Sequence, residues 1–343
     1  MSETNRRITL ASRPEGEPTA ANFGLDEQPI PEPGDGQILC RTIYLSLDPY
    51  MRGRMSDAKS YADPVNVGDP MCGGTVCQVV KSNHEKFRGG DIVLAYTGWQ
   101  DYAVTNVEGV MKLNPEQAPI STALGILGMP GMTAYTGLMN IGKPKDGETV
   151  VVAAASGPVG GLVGQIAKIK GCRAVGIAGG PDKCAHVVDN LGFDACLDHR
   201  GDDLAGALAE ACPDGIDVYF ENVGGAVADA VYPRLNPFAR VPVCGLIAQY
   251  NATDLPPGPN KLPLLMRDVL TKRLAIRGFI VTDFLDQWPQ AAGEIAGWLR
   301  EGRVKYLEDV VQGLENAPAA FMGLLQGKNF GKLVVQVGHD PTG

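Results

Sequence analysis

The chain has 343 residues, of which 44% are hydrophobic and 20% charged, and its formal net charge is −9. This length allows two domains of ordinary size, and the acidic balance disfavours a surface that binds nucleic acid. The start, MSETNRRITLASRPEG, has no apolar run typical of a signal peptide, and no segment reaches the ~20 apolar residues of a membrane span, so we expect no membrane partner.

The first part of the chain, residues 1–127, contains short runs of alternating apolar and polar residues separated by Gly and Pro. The clearest runs are QILCRTIYLSL at 37–47, GTVCQVV at 74–80 and DIVLAY at 91–96. Alternation of this kind predicts short strands, so we expect a barrel-like β domain here.

Residues 128–303 have a different pattern, in which apolar runs typical of buried strands alternate with runs typical of helices. The predicted strands are 148–155, 173–179, 194–199, 216–222 and 239–245, and the predicted helices are 158–171, 182–192, 202–212 and 226–235. This order predicts an α/β domain, a doubly wound parallel sheet with helices on both faces. RLAIRGFIV at 273–281 is a candidate sixth strand, and the tail, residues 304–343, is expected to rejoin the first domain.

Eight cysteines are scattered along the chain, with no CxxC pair and no repeated Cys/His spacing. This pattern favours free thiols in a reducing compartment, and therefore a cytoplasmic protein. It also predicts no metal site.

A glycine-rich turn, AAASGPVGGLVGQ at 153–165, joins the first parallel strand to the first helix. Backbone N–H groups at a helix N-terminus attract a phosphate, and glycine lets the backbone approach both that phosphate and the neighbouring strand. The glycines stand at Gly157, Gly160 and Gly164 rather than in the standard G-x-G-x-x-G spacing, and a tight turn without a ligand is the alternative. Its place at the head of successive strand–helix units favours a dinucleotide site.

The end of the second parallel strand indicates which dinucleotide binds. NAD sites usually carry Asp or Glu at this point to hold the ribose hydroxyls. Here the chain reads Ala178, Gly179, Gly180, and Lys183 follows in the first turn of the next helix. The missing acid and the added cation favour NADP, although a solvated lysine is the alternative for Lys183.

Several further stretches now carry a resemblance to a known family. They are LSLDPYMRGRM at 45–55, GMPGMTAYTGL at 128–138, ENVGG at 221–225, CGLIAQYN at 244–251, GFIVTDF at 278–284 and LLQGKNFGKLVV at 324–335. Together with the glycine-rich turn they resemble the zinc-independent medium-chain dehydrogenase/reductases, in the leukotriene B4 dehydrogenase, prostaglandin reductase and curcumin-reductase-like branch. The resemblance implies a GroES-like β-barrel domain plus a Rossmann domain, a homodimer, and NADPH-dependent reduction of the C=C bond of α,β-unsaturated aldehydes and ketones.

Zinc-containing relatives use a GHE motif beside a cysteine, and this chain lacks it. The equivalent stretch, GDPMCGGTVCQVV at 68–80, has no His or Glu next to Cys72, and His84 lies in a polar loop. Hydrogen bonds must then stabilise the oxyanion that forms when hydride reaches the β-carbon. The resemblance points to Tyr250 as the donor, with packing under the loop 255–263 as its alternative. Tyr50 is expected to line the pocket mouth from the barrel domain, or else to be an ordinary half-buried aromatic residue.

The family's cofactor contacts transfer to this chain residue by residue. For the pyrophosphate they are Gly157, Pro158, Val159 and Gly160; for the 2′-phosphate, Lys183 and His199; for the adenosine or ribose, Asn222; for the nicotinamide side, Cys244, Gly245, Tyr250, Phe279, Ile280, Val281 and, more weakly, Thr133; and from the tail, Asn329. His199 departs from the family, which has a tyrosine there, and a solvent-facing imidazole is its alternative. Cys244 has no base nearby in sequence, which favours a backbone contact over a nucleophile.

Two other functions remain open from the sequence. A quinone reductase shares nearly all these parts, and a non-catalytic NADPH-binding protein would share the cofactor residues. For assembly, the apolar alternation of 273–281 suggests an exposed sheet edge, which a two-fold dimer would close.

Overall fold

The structure is a computed structural model that describes residues 4–255 and 258–342. Its strands, in chain order, are β1 Thr4–Leu10, β2 Phe23–Pro29, β3 Ile38–Ser46, β4 Thr75–Ser82, β5 Ile92–Ala95, β6 Tyr102–Thr105, β7 Met111–Lys112, β8 Thr149–Ala153, β9 Arg173–Ala178, β10 Ala195–Asp198, β11 Ile216–Phe220, β12 Leu235–Val243, β13 Ala275–Gly278, β14 Glu308–Gln312 and β15 Lys332–Gln336. Its α-helices are α1 Tyr50–Arg54, α2 Met129–Gly137, α3 Pro158–Ile169, α4 Pro181–Asp189, α5 Leu204–Ala211, α6 Gly225–Val231, α7 Leu262–Lys272, α8 Trp288–Arg300 and α9 Ala317–Leu325.

The chain divides into two compact units. The first unit comprises Met1–Leu124, Glu308–Asn329 and Leu333–Gly343, and the second comprises Gly125–Leu307 and Phe330–Lys332. The tail returns to the first unit, where β15 pairs antiparallel with β3.

The first unit is built on a seven-stranded sheet in the order β14-β15-β3-β4-β5-β7, with β6 also paired to β3, and on the separate hairpin β1-β2. The predicted strands at 37–47, 74–80 and 91–96 correspond to β3, β4 and β5. Its apolar centre includes the fully buried Trp99, which stacks on Phe23 at 5.9 Å and meets the edge of Phe321 at 5.6 Å. Phe321 lies on α9, so the returning tail contributes a helix as well as strands to this core.

The second unit is a parallel six-stranded sheet in the order β10-β9-β8-β11-β12-β13. All five residues of β8, TVVVA, are buried, because helices cover both faces of the sheet. Val163 of α3 and Ile295 of α8 lie in one apolar cluster, and Leu208 of α5 and Val231 of α6 lie in the other. The prediction of a doubly wound parallel sheet is confirmed.

Three boundaries in the second unit differ from the sequence prediction. Helix α6 ends at Val231 and a short 3-10 turn follows at Tyr232–Arg234, because Pro233 cannot continue the helix. Strand β12 then begins at Leu235 rather than 239 and carries Phe238 at φ 65°. The strand predicted over 273–281 is limited to β13, although it does form the outer edge of the sheet.

None of the helices in the described part of the chain is both long and apolar enough to cross a membrane.

Candidate active site

The glycine-rich turn leaves the sheet at the carboxyl end of β8. Gly157 is the residue that caps α3, and Pro158 opens the helix. A Cβ atom at position 160 would stand 2.4 Å from the carbonyl oxygen of Ala154, so only glycine allows the helix to start this close to the strand end. The first backbone N–H groups of α3 have no intrahelical partner and form the donor set that a pyrophosphate needs.

Gly164 has a different role from Gly157 and Gly160. A Cβ atom there would stand 1.8 Å from Cζ of Phe193, a side chain that is itself buried. This glycine therefore lets α3 pack against the loop before β10. The glycines of this turn therefore allow helix packing as well as ligand binding.

The sheet order reverses between β8 and β11, and ligands of doubly wound sheets bind in the crevice outside the strands at such a point. Asn222 follows β11, and its Nδ2 donates to the carbonyl oxygen of Ala153 at 2.7 Å. The predicted ribose contact and the predicted pyrophosphate turn are thus joined at the crevice.

Basic side chains gather at the turn between β9 and α4. A Cβ atom at Gly179 would stand 2.9 Å from Nε2 of His199 and 3.2 Å from Nε of Arg200. Burial lowers the pKa of His199 below its ordinary 6.5, and the charges of Arg200 and Lys183 lower it further while Asp198 opposes them. Lys183 and His199, both predicted for the 2′-phosphate, are therefore close enough to interact, and Arg200 joins them.

Arg200 is the functional candidate that the sequence reasoning missed. Asp198 explains its position: the carboxylate accepts from Gly180 N at 2.8 Å and from Arg200 N at 3.0 Å. These two bonds tie the end of β10 to the turn after β9, and they lower the pKa of Asp198. The sequence did show an arginine just after β10. Its role could be predicted only once β10 was known to lie beside β9.

The segment from Cys244 to Tyr250 follows β12. Cys244 N and Gly245 N both donate to the carbonyl oxygen of Glu221, at 2.9 and 3.2 Å. The Tyr250 hydroxyl folds back to accept a long hydrogen bond of 3.4 Å from Leu246 N. A hydroxyl that accepts in this way retains its own proton for donation. The alternative of packing under the loop 255–263 involves Pro256 and Pro257, which lie outside the described residues.

The Cys244 thiol is unsuited to be a nucleophile. Burial raises its pKa to about 12, and the nearby Glu221 contributes to the same shift. A thiol with such a pKa stays protonated at neutral pH, which leaves the backbone contact as the expected role for this residue.

Two of the remaining candidates on the second unit, Phe279 and Thr133, have side chains that contact other parts of the protein. Phe279 is buried and meets the edge of Phe220 at 6.2 Å. The Thr133 hydroxyl donates to the carbonyl oxygen of Met129 at 2.8 Å. Val281 starts a 3-10 turn after Ile280, whose backbone N–H donates to Asp283. The expected contacts of Phe279, Ile280, Val281 and Thr133 with the nicotinamide side of the cofactor stay predictions.

The first unit carries Tyr50 and Asn329. Tyr50 opens α1, and burial raises the pKa of its hydroxyl well above 10, with Asp48 and Cys72 adding to the shift and Arg54 opposing it. Its proton is therefore retained at any working pH. Asn329 lies in the connection between α9 and β15. Within residues 4–255 and 258–342, no three His, Cys, Asp or Glu side chains are grouped so as to hold a metal ion.

Comparisons with known proteins agree with this architecture. Residues 6–113 match the family model described as the N-terminal domain of oxidoreductase, and residues 158–297 match the one described as zinc-binding dehydrogenase. The NADPH-dependent curcumin reductase of Escherichia coli is 57% identical over 339 residues, which are 98% of each chain. The chain belongs to the medium-chain dehydrogenase/reductase family. The resemblance seen in the sequence is thereby confirmed.

Two further proteins that are similar to this chain belong to the same branch of the family. The NADP(+)-dependent 2-alkenal reductase of Nicotiana tabacum is 40% identical over 344 residues, 98% of each chain. The crystal structure of CurA from Vibrio vulnificus in complex with NADPH superposes with a TM-score of 0.95 and 57% identity, over 98% of this chain and 100% of that chain.

Proposed function

We propose that this protein reduces the C=C bond of α,β-unsaturated aldehydes and ketones with NADPH. The observation that carries the cofactor part is the basic cluster of Lys183, His199 and Arg200 around a strand end that lacks the usual acid. The reaction is supported by the relatives, which are named as reductases of curcumin and of 2-alkenals.

The residues at the carboxyl ends of the parallel strands fit a bound NADPH. The turn at Gly157 and Gly160 would hold the pyrophosphate, the basic cluster the 2′-phosphate, and Asn222 the ribose. Bound NADPH supplies the hydride that is transferred to the β-carbon. Much of the rate enhancement comes from holding the substrate in line with that hydride.

Tyr250 is proposed to donate its hydroxyl proton in a hydrogen bond to the substrate carbonyl oxygen. Its oxygen accepts a long hydrogen bond from Leu246 N, which leaves the hydroxyl proton available for donation. A donor already in place where negative charge develops stabilises the transition state more than the ground state. Tyr50 is proposed to line the pocket mouth, as a neutral donor whose high pKa keeps it protonated.

We also propose that the protein is a cytoplasmic homodimer. All eight cysteines are free thiols, as a reducing compartment favours. Every residue of β13 is exposed on an edge of the sheet, and Leu264, Met266 and Leu270 of α7 are more than half exposed. An open edge beside an exposed apolar helix suits pairing with a second copy through a two-fold axis.

An oxidation assay with paired substrates tests the activity. The loss of NADPH absorbance is followed with 2-alkenals and enones of graded length and, separately, with a benzoquinone. Turnover of enones with little turnover of the quinone supports the proposal, and the reverse preference contradicts it in favour of a quinone reductase. Tight NADPH binding without turnover of either would indicate a non-catalytic protein.

A further inference from the structure

Glu221 is a buried acid at the point where the sheet order reverses, and the proposed reaction gives it no role. It follows directly after β11 and is 1% exposed. Its backbone N–H donates to the carbonyl oxygen of Pro242, and its own carbonyl oxygen accepts from Cys244 and Gly245. The backbone of this one residue thus joins the ends of β11 and β12.

The side chain of Glu221 shapes the turn that follows it. Its Oε1 accepts from Val223 N at 2.7 Å and from Gly224 N at 2.8 Å. Gly224 and Gly225 both adopt positive φ, 75° and 56°, a conformation that glycine reaches without strain but, being flexible, does not hold by itself. The carboxyl oxygen holds the turn by accepting from two of its backbone N–H groups at once, that of Gly224 in a buried hydrogen bond and that of Val223 in a partly buried one.

The backbone of this turn also binds the segment that carries Tyr250. Ile247 N donates to the carbonyl oxygen of Asn222 at 3.3 Å, and Ala248 N donates to that of Val223 at 3.0 Å. The turn also holds Asn222, which reaches across to β8. A shift of the Glu221 carboxyl group would therefore move the ribose contact and the proposed donor together.

The surroundings of Glu221 favour a neutral carboxyl group. Burial raises its pKa above the ordinary 4.5, although the bonds from Val223 and Gly224 oppose this shift. The titratable groups that face it are Tyr219, Tyr232 and Cys244, whose pKa values are raised as well. The second oxygen, Oε2, is buried, the Tyr219 hydroxyl lies near the same carboxyl group, and neither atom has a well-aligned hydrogen-bond partner in the described part of the chain.

We propose that Glu221 is a positioning residue, which fixes the turn 222–225 through Oε1 and so sets the places of Asn222 and Tyr250 relative to the cofactor and substrate. The proposal rests on the proposed function for the part that concerns Tyr250, but its effect on NADPH binding needs no substrate.

Three variants distinguish the effect of the Oε1 acceptor from the effects of the charge and volume of the Glu221 side chain. Glu221→Gln keeps an acceptor at Oε1 and removes the possibility of ionisation. Glu221→Met fills a similar volume without an acceptor, and Glu221→Asp keeps the carboxyl group but withdraws it from the turn. Leu208→Ala, in the buried face of α5, is the control for lost stability alone. The measurements are the dissociation constant of NADPH by fluorescence titration, kcat with an enone, and the melting temperature.

NADPH affinity and kcat are expected to be similar in wild type and Glu221→Gln, and lower in Glu221→Asp and Glu221→Met. Gln should stay within about threefold of wild type, whereas Asp and Met should raise the NADPH dissociation constant and lower kcat by about tenfold or more each. Leu208→Ala should lower the melting temperature while both constants stay within about twofold. If the Glu221→Met protein does not fold, the comparison of Glu221→Asp with Glu221→Gln tests the proposal.

Two results would overturn the proposal. Equal NADPH affinity in Met, Asp and wild type would mean that the turn holds its position without Oε1. A loss in Gln with retention in Asp would mean that the charge matters rather than the acceptor. If no variant or wild type reduces an enone, the NADPH titration still decides the positioning role, and the proposed reaction fails separately.

Discussion

The imidazole of His199 packs against the backbone of Gly179, so closely that a Cβ atom on that glycine would stand 2.9 Å from His199 Nε2. An acid at the end of β9, where NAD sites usually carry one, would need the space that His199 and Arg200 occupy. The absence of the acid and the presence of the basic side chains are therefore one structural feature, since the parallel pairing of Asp198 with Ala178 places the two strand ends side by side.

Removing a cation from the basic cluster should weaken NADPH far more than NADH. Lys183→Ala and Arg200→Ala are each expected to cost about 1–3 kcal/mol of NADPH binding, because a charge-assisted hydrogen bond to the 2′-phosphate is lost. NADH has no such phosphate, so its dissociation constant should hardly change. Fluorescence titration with both cofactors checks this, and equal losses for the two would remove Lys183 or Arg200 from the 2′-phosphate site.

Tyr250→Phe should lower kcat by about tenfold or more while NADPH affinity stays nearly constant, because the donor acts on the charge that develops at the carbonyl oxygen. Stopped-flow and steady-state assays with one enone give both quantities. Tyr61→Phe, at a tyrosine that is 62% exposed, is the matched control and should change neither. An unchanged kcat in Tyr250→Phe would assign this side chain to packing.

Gly164→Ala should destabilise the protein, since its methyl group would overlap the buried ring of Phe193. Forcing an extra carbon into a packed core costs about 1–3 kcal/mol. Gly297→Ala, in α8, has no atom within 4 Å of the new Cβ and should instead stabilise by about 0.5–1 kcal/mol through helix propensity. Urea denaturation of the two variants gives the comparison, and a Gly164→Ala protein as stable as wild type would refute the packing role.

The sequence allowed the alternation of strands and helices in the second unit to be predicted, because each βα unit carries its own period and its own glycine or proline boundary. Helix α2 gave no such signal, since residues 130–137 are all buried and a helix that is covered all round has no polar face. Helix α7 was missed as well; four of its apolar residues, Leu262, Leu264, Met266 and Leu270, are more than half exposed, while Val269 packs against the core. Arg200 was missed because its role depends on which strand lies beside β10.

The exposed edge at β13 should pair with a second copy. Sedimentation at micromolar concentration is expected to give twice the monomer mass of 36.3 kDa. Ile276→Lys, on the edge strand, should shift the protein towards monomer by placing charge where two edges meet. Leu25→Lys, at an exposed leucine of β2, is the control and should leave the dimer intact. A wild-type monomer, or dissociation by both variants alike, contradicts pairing at β13.

His199 should make the preference for NADPH over NADH depend on pH. In the free protein its pKa lies below 6.5, chiefly through burial and then through Arg200, so the imidazole is mainly neutral at pH 7. A bound 2′-phosphate dianion favours the imidazolium and raises this pKa. Affinity contributed by the charged imidazole is fully present below the free-protein pKa and is lost as the pH rises through the bound-state pKa.

The preference for NADPH should therefore fall with rising pH, in a window that begins below pH 6.5. His199→Tyr restores the family residue and removes the titrating group while Lys183 and Arg200 remain. The second ionisation of the phosphate, near ~6, affects wild type and variant equally, so the ratio of their NADPH dissociation constants isolates the imidazole. That ratio should approach a constant at alkaline pH and favour wild type in acid. A ratio independent of pH would place His199 in solvent and leave NADPH selection to Lys183 and Arg200.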